Sequence, residues 1–473
     1  MICENKKGSL ELNVVGKITN HVLVKRFDRV GIIKEPSFIL ELKIEYKEDQ
    51  MNFNTILYRL GIDPDNFVNA DNEPIKTAGG FIYEVIQKAD DRTCTNCGSH
   101  NTIIHDHDYI EINCSETDQI EDILRIRKIR FKCKKCGKTF TPPIKGIEPY
   151  SKTSSQTIRM ILNDFTKSLT FSQIAERYSV SVSRIIKLFD EKIRYVPRRP
   201  FPDILCIDEI RFAEEYNQNY CCVLYDFRNR EIVDIIRNRQ MPYLKEYFEA
   251  VPEQERAKVR YFISDMYDGY ATVCRRYFKN ATHIIDLFHV ITQLTRAVNS
   301  IRTKAMKSVE KGSVQYNFMK SHWKQFLCRT KDISDKYYTP LNSFRSYHYD
   351  ELVESCIRLN GDFLTAYNIL QDLYRYDRKA NFDEAMEFVK FIAKRLIDSG
   401  NEYLISVGRT YMKWKAGIAS GLARTQNHTK LTNAVAESLN NQLKTIIKSA
   451  YGYHNFERFR KRALMIITYG KPK

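Results

Sequence analysis

Two cysteine pairs constrain this chain more than any other feature: Cys94-Thr-Asn-Cys97 and Cys133-Lys-Lys-Cys136. Two residues between thiolates let one tight turn present both sulfurs to a single ion, and a glycine after each pair (Gly98, Gly137) relieves the backbone there. Four thiolates complete a closed tetrahedral shell, the structural form of a zinc site. The stretch between the knuckles, 35 residues from Gly98 to Lys132, can be filled by a hairpin. A redox-active CxxC is the competing reading, which the paired knuckles and the ending Cys136-Gly-Lys-Thr-Phe140 disfavour. His105 and His107 read as surface loop residues rather than ligands. The sequence thus predicts a zinc ribbon over 91–145 with Zn2+ as its structural cofactor.

At 473 residues the chain is too long for one core, so two to four domains are expected. Hydrophobic residues make up 43%, enough for globular packing. Runs such as SFILEL and LMIITY fall far short of the ~20 apolar residues of a membrane span, so no membrane partner is expected. The start, MICENKKGSLEL, lacks the apolar run of a signal peptide, which predicts a cytoplasmic protein. The remaining cysteines do not suggest a secreted disulfide scaffold.

The net charge of +17 is unevenly placed. Residues 1–93 carry 13 Lys/Arg against 15 Asp/Glu, whereas residues 121–200 carry 19 against 7, a net of +12. A solvated surface would not concentrate charge in this way; a module that neutralises phosphates and releases counterions would. Within that stretch, residues 170–190 fit a helix-turn-helix. Ala175 is small where two helices approach, Ser179 takes the turn position usually given to glycine, and Val180 plugs the core. Ile185 and Leu188 supply the apolar face of the second helix. Ser181 or Ser183 caps that helix, whose exposed side offers Ser183, Arg184 and Lys187 to a major groove. An ordinary helical hairpin is the bland alternative; the basic neighbourhood favours DNA. Lys192, Arg194, Arg198 and Arg199 then form a basic linker suited to backbone phosphates, though a solvated linker would look the same.

Residues 1–90 read as a mixed segment, with strands at SLELNVVG and SFILELKIEYK and a helix at NTILYRLG, and no chemistry attaches to it. From Ile204 the pattern becomes strand-rich, and a long helical tract over roughly 287–430 precedes a final amphipathic helix. Asp208 follows the apolar strand Ile204–Ile207, and Asp265 ends the strand Val259–Ser264. Tips of neighbouring strands set two carboxylates side by side, and Glu437, on a helix packed across the sheet, suits a third. Singly, each acid is weak evidence: Glu209, Asp226, Asp234 and Asp268 compete, although Glu209 points opposite to Asp208 on a strand and Asp268 suits a helix cap.

Further blocks decide among them. From Cys94 to about Gly470 the chain resembles the DDE transposases of the ISL3 insertion-sequence type. The likeness rests on the paired CxxC ribbon, the helix-turn-helix, Ile207-Asp208-Glu209, Ile263-Ser-Asp265-Met-Tyr-Asp-Gly-Tyr270 and Ile285-Asp-Leu-Phe-His-Val290. It continues through Ala436-Glu-Ser-Leu-Asn-Asn-Gln-Leu-Lys444 and Ala450-Tyr-Gly-Tyr-His-Asn-Phe456. Ser438 stands where the familiar block has glycine. The resemblance implies an α/β fold: an RNase H-like mixed-sheet catalytic domain over 200–473 with a helical insertion at about 300–430. A zinc ribbon and a helix-turn-helix domain over 150–199 precede it. It carries Asp208, Asp265 and Glu437 over as the metal-binding triad, with Mg2+ as cofactor and Mn2+ as a substitute. Asp286 and His289 match the family's DxxH pair, either as accessory groups at the metal site or as a structural pair fixing the insertion to the sheet.

The function so implied is cleavage of insertion-sequence ends and transfer of the freed 3′-hydroxyl to target DNA. The partners are double-stranded DNA (terminal inverted repeats and target) and further copies of the chain in a dimer or higher assembly. The rival readings are a catalytically retired DNA-binding regulator and a structure-specific nuclease of the same fold. Trp323 and Trp414 read as core of the insertion, Tyr451, Tyr453 and Phe456 as packing for the last helix, and Arg458, Arg460, Lys461 and Arg462 as a phosphate-facing edge.

Overall fold

The computed structural model describes residues 57–58, 61–68, 73–88, 90–114, 121–144, 146–148, 151–215, 218–341, 344–376, 381–423, 431, 434–450 and 453–470. The runs SLELNVVG and SFILELKIEYK lie outside them, and of NTILYRLG only Leu57, Tyr58 and Gly61 are described, the first two as helix.

The first module is built on three strands: β1 (Phe81–Gln87), β2 (Thr102–Asn113) and β3 (Ile123–Cys133). β2 and β3 form the long hairpin between the cysteine knuckles, and β1 lies parallel to β3 on its other side. Alternation in β3 turns Leu124 and Ile126 into a small core with Val85 and Ile112. On the other face Arg125 bridges Glu84 (2.7 Å) and Glu111 (2.8 Å) across the two neighbouring strands. His105 and His107 are exposed, as expected, but on strand β2 rather than in a loop.

Three helices follow: α1 (Ser155–Asp164), α2 (Phe171–Arg177) and α3 (Val182–Lys192). Thr170 and Gln173 form a capping box at the start of α2, and Ser181 accepts from the Arg184 amide to cap α3. Ser179, between α2 and α3, has φ +49°, the left-handed conformation that glycine adopts more easily. Ala175, Ile185 and Leu188 are buried, as the helix-turn-helix pattern requires.

A five-stranded mixed sheet comes next: β4 (Ile204–Glu215), β5 (Gln218–Asp226), β6 (Glu231–Ile236), β7 (Tyr261–Ser264) and β8 (Thr282–Ile285). Its order is β8-β7-β4-β5-β6; β4, β5 and β6 form an antiparallel meander, and β7 and β8 run parallel to β4. Helices α4 (Met241–Glu249) and α5 (Asp268–Tyr277) cover one face, packing Leu244, Phe248, Tyr270 and Val273 on Leu205, Ile207 and Phe262. The opposite face takes α13 (Ala434–Ser449) and α14 (Phe456–Tyr469). Helices on both faces of a mixed sheet in this order are consistent with an RNase H-like core.

Between β8 and α13 lies the helical tract: α6 (Leu287–Lys307), α7 (Val314–Ser321), α8 (Tyr349–Ile357), α9 (Gly361–Arg375), α10 (Phe382–Asp398), α11 (Glu402–Lys413) and α12 (Lys415–Leu422). These helices share a core of their own. α12 lies against β8 through glycines: a Cβ on Gly421 would come 2.6 Å from the carbonyl oxygen of Ile285. Trp414 packs partly buried against this core, whereas Trp323 is not core; it is 39% exposed. No helix among the described residues is long and apolar enough to cross a membrane.

The helix-turn-helix shares one hydrophobic core with the sheet, and α14 is what joins them. Its cations, read from the sequence as a phosphate-facing edge, all have partners within the chain, and Arg462 is buried. Arg458 clasps Asp190 on α3 (Nη2 to Oδ2 2.6 Å), and Lys461 donates to the Ile193 carbonyl (2.9 Å). Arg460 binds Asp234 on β6 (2.7 Å) and the Val196 carbonyl. Arg462 is buried and donates to the carbonyls of Phe165, Lys167 and Leu169, where α1 ends. Helix C-terminal carbonyls carry partial negative charge, which lets a guanidinium sit there without a carboxylate. Four basic residues at spacings of one to four look like a surface edge in sequence, but the helix that bears them is half enclosed. Tyr453 and Phe456 pack there as expected, on Phe459 and Phe212; Tyr451 lies outside the described residues. Arg462→Met keeps the apolar stem and removes the donors, so buried carbonyls lose their partners and unfolding in urea should need about 3 kcal/mol less. An unchanged midpoint would show that the clasp contributes little.

Candidate active site

Sheet register determines which acids meet. Ile263 pairs with Cys206 on one side and with Ile284 on the other, so these three side chains form a row on one face. Two residues further along each strand, the same row reaches Asp208 on β4, Asp265 just past β7 and Asp286 just past β8. The backbone supports this continuation: the Asp286 amide donates to the Ser264 carbonyl (2.9 Å). Three acids therefore share one row across three adjacent parallel strands, on the face that carries α13. Asp265 and Asp286 stand just past the ends of β7 and β8, whereas Asp208 lies within β4, which does not end at Ile207 as the sequence suggested but runs on to Glu215, paired with β5.

Asp208 is fastened by both oxygens. Oδ1 accepts the Glu209 amide (2.8 Å) and Oδ2 the side-chain amide of Asn440 on α13 (2.8 Å). Burial raises its carboxyl above the ordinary aspartate value, against the opposing pull of the Glu209 amide. Asp265 is pushed up to about 6, first by burial and then by the nearby charge of Glu209. Its Oδ1 is buried with no hydrogen-bond partner. An ionised oxygen in that position lacks what compensates a buried charge, and a cation or a proton would supply it.

Asp286 is buried and accepts from the Phe288 amide at the start of α6 (3.3 Å) and from His289 Nδ1 (3.2 Å). The Asp286 hydrogen bond raises the His289 pKa against burial, with Asp265 and Asp208 adding to the effect. The DxxH pair thus both starts the first helix of the insertion and borders the acid row.

Glu437 is exposed on the first turn of α13, three residues before Asn440. Residues three apart on a helix lie on the same side, about one turn along. Because Asn440 touches Asp208, the turn carrying Glu437 lies beside the acid row, although its carboxylate makes no contact with the two aspartates.

The competing acids are engaged elsewhere. Asp226 closes the turn after β5 through the amides of Arg228 and Asn229. Asp234 binds Arg460 and Tyr247, and Asp268 pairs with Lys413 rather than capping α5. Glu209 points to the other face, as alternation predicts, and holds Arg239 (2.9 Å) and the Tyr270 hydroxyl (2.9 Å). Sequence reasoning missed this Glu209–Arg239–Tyr270 group, and it missed Asn440. Asn440 had one usable signal, its spacing of three from Glu437 within Glu-Ser-Leu-Asn.

The four cysteines come together as expected. Every pair of sulfurs lies within 4.8 Å, with Cys94–Cys136 at 3.7 Å and Cys97–Cys133 at 3.6 Å. Sulfurs on a tetrahedron of Zn–S about 2.3 Å would be about 3.8 Å apart, so the cluster fits that ion. The two knuckles are alike: Gly98 and Gly137 have φ +69° and +72°, and each donates to the carbonyl of the first cysteine of its pair (2.9 Å). Backbone amides of Cys136 and Lys135 bring the Cys133 thiol down, while burial and its sulfur neighbours push that of Cys97 up, as four thiols that share their protons without a cation must.

On α3, Ser183 and Lys187 are exposed and Arg184 is half-buried. The linker arginines are held by the protein instead. Arg198 makes a two-pronged bond to Glu255 (2.6 and 2.9 Å), and Arg199 pairs with Glu231 (2.8 Å). The linker is therefore laid along the sheet domain at these two points.

The transposase for insertion sequence element IS1001 of Bordetella parapertussis is 21% identical over 374 residues, covering 77% of this chain and 86% of that protein. The family model for DDE transposases of the ISL3 type, described as "Transposase", matches residues 205–463, which runs from β4 into α14. That is more than half of the molecule, and the chain belongs to the ISL3 family of DDE transposases, with a cysteine cluster consistent with a zinc-binding module.

Proposed function

We propose that the protein binds insertion-sequence ends and catalyses cleavage and transfer of DNA strands, with Asp208, Asp265 and Glu437 as the triad that holds two divalent cations. The observation that carries this reading is the buried, unpartnered Oδ1 of Asp265 beside Asp208 in one row. Oxygen donors of this kind suit Mg2+, with Mn2+ as a substitute. Asp208, Asp265 and Glu437 would hold these cations, whose chemistry there would be activation of an attacking oxygen and stabilisation of a leaving one. The chain's own part is to hold Asp208 rigid, to keep Asp265 away from bulk water, and to place Glu437 on a helix that is anchored at Asn440. Asp286 keeps His289 toward its charged form beside the row, where it would meet a phosphate.

Ser183, Arg184 and Lys187 are the proposed reading side of α3, and Zn2+ would be held by Cys94, Cys97, Cys133 and Cys136. Arg198 and Arg199 would serve phosphates only by leaving Glu255 and Glu231. The proposed setting is the bacterial cytoplasm, on DNA, with a second copy holding the other end of the element. Paired element ends and a target plasmid, incubated with the protein and Mg2+, test the reading: joined product is expected. Cut junctions without joining would indicate a nuclease, and binding without cutting a retired regulator.

The row also predicts how stability depends on pH. The Asp265 carboxyl binds its proton more tightly in the fold, near 6, than in the open chain, near 3.8. Its contribution to stability is complete below about 4 and lost as pH rises through about 6. Mg2+ or Mn2+ should therefore raise Tm at pH 7 and do little at pH 5. An equal rise at both values would argue against a cation on this carboxylate.

A further inference from the structure

We infer that Asn440 is a positioning residue whose side-chain amide, itself held by Tyr225, fixes one oxygen of Asp208 and so sets how tightly the acid row takes up a divalent cation. The inference rests on the proposed metal-binding role of Asp208.

Asn440 is 4% exposed and belongs to a helix that begins 226 residues after Asp208 in sequence. Its Nδ2 donates to Asp208 Oδ2 at 2.8 Å, and its Oδ1 accepts from the hydroxyl of Tyr225, a fully buried residue on β5. Chemistry dictates which way the amide faces. An ionised carboxylate only accepts, whereas a phenol either donates or accepts, so reversing the amide would set oxygen against oxygen at Asp208. The order Tyr225, Asn440, Asp208 is thus fixed from the acid end. With the Glu209 amide on Oδ1, each oxygen of Asp208 has one donor, and the carboxylate is pinned against rotation while each oxygen keeps a lone pair for another partner.

This contact also ties helix to sheet. Asn440 is one turn beyond Glu437, so the bond that orients Asp208 also sets the distance between Asp208 and the turn that carries Glu437. Groups that hydrogen-bond to a metal ligand matter to the metal nearly as much as the ligand does, and their loss weakens binding roughly 10- to 100-fold. A purely structural amide would change stability and leave cation affinity alone.

The test is Mn2+ binding by the full-length protein, read from the electron paramagnetic resonance of the free ion, with Asn440→Ala, Tyr225→Phe and Asp208→Asn. Asn440→Ala is expected to weaken Mn2+ binding at least tenfold. Tyr225→Phe should act in the same direction by a few-fold, and the double variant should be no worse than Asn440→Ala, because both act through one bond. Should Asn440→Ala fail to fold, Tyr225→Phe decides alone. Asp208-dependent binding that is indifferent to Asn440 and Tyr225 overturns the positioning role only. Binding that is indifferent to Asp208→Asn overturns the metal reading and the positioning role with it.

Discussion

Asp208→Asn is expected to lower strand cleavage by about 10³-fold or more, since the change removes the charge that would hold a cation at the reacting phosphate. Asparagine is nearly the same size, and its oxygen can still accept from the Glu209 amide; its new amide faces that of Asn440, and the sheet keeps its shape once Asn440 turns over to accept from it and donate to the Tyr225 hydroxyl. Binding to element ends should be unchanged, because the exposed side of α3 lies on a separate helix. Stability should not suffer. Asp208 and Asp265 are both raised above their ordinary values by burial; Asp208 is raised further by the charges of Asp286 and Glu209, and Asp265 by those of Glu209 and Asp208. Neutralising one member relieves that conflict, and the metal-free variant should melt at the same temperature as the parent or above it. A gel assay for nicked ends and a melting curve measure both. Full cleavage by this variant would end the assignment of Asp208; lost cleavage with a collapsed melting temperature would point to packing instead.

Removing the ion from the cysteine cluster is the second large effect. Structural zinc supplies on the order of 10–16 kcal/mol in small zinc-finger peptides, where binding and folding are one event. The module bearing the cluster has only a thin apolar layer around Val85, Ile112, Leu124 and Ile126. Both knuckles sit at the far end of the β2–β3 hairpin from Asn113 and Ile123, where little else holds them. Cys133→Ser should reduce bound zinc from one equivalent per chain to near zero by elemental analysis, and a chelator should do the same to the parent. Protease should then cut between the knuckles while the sheet domain stays intact. A parent with no zinc, or a variant that resists protease as well as the parent, would refute a structural ion.

Legibility in the sequence followed the range of the interactions. The knuckles and the helix-turn-helix are local: spacing, a glycine, a cap and a small residue are all within a few positions of one another, and Ser179 even shows the left-handed turn its position implied. Asp265 could be placed at a strand end, whereas the strand read as ending before Asp208 continues to Glu215; the period of two and the pairing of neighbours put both acids in one row. Glu437 could be put on a helix suited to cross the sheet, but at 172 positions beyond Asp265 nothing local showed where that helix meets the row; the contact between them runs through Asn440. Charge was the least legible. Arg198, Arg199, Arg458, Arg460, Lys461 and Arg462 read as a surface for phosphates, yet they find carboxylates or carbonyls within the chain. A basic side chain in a sequence states its sign and reach but not its partner, and a chain with nets of such residues satisfies part of them internally.

The clasp formed by α14 has a consequence for measurement. If recognition and scission are performed by two parts welded through one apolar interior, the interval between the bases read and the bond broken is a fixed length of the molecule. Such a protein acts as a caliper: inserting base pairs between the recognised sequence and the element tip should move the cut along with the recognised sequence, leaving the tip itself uncut.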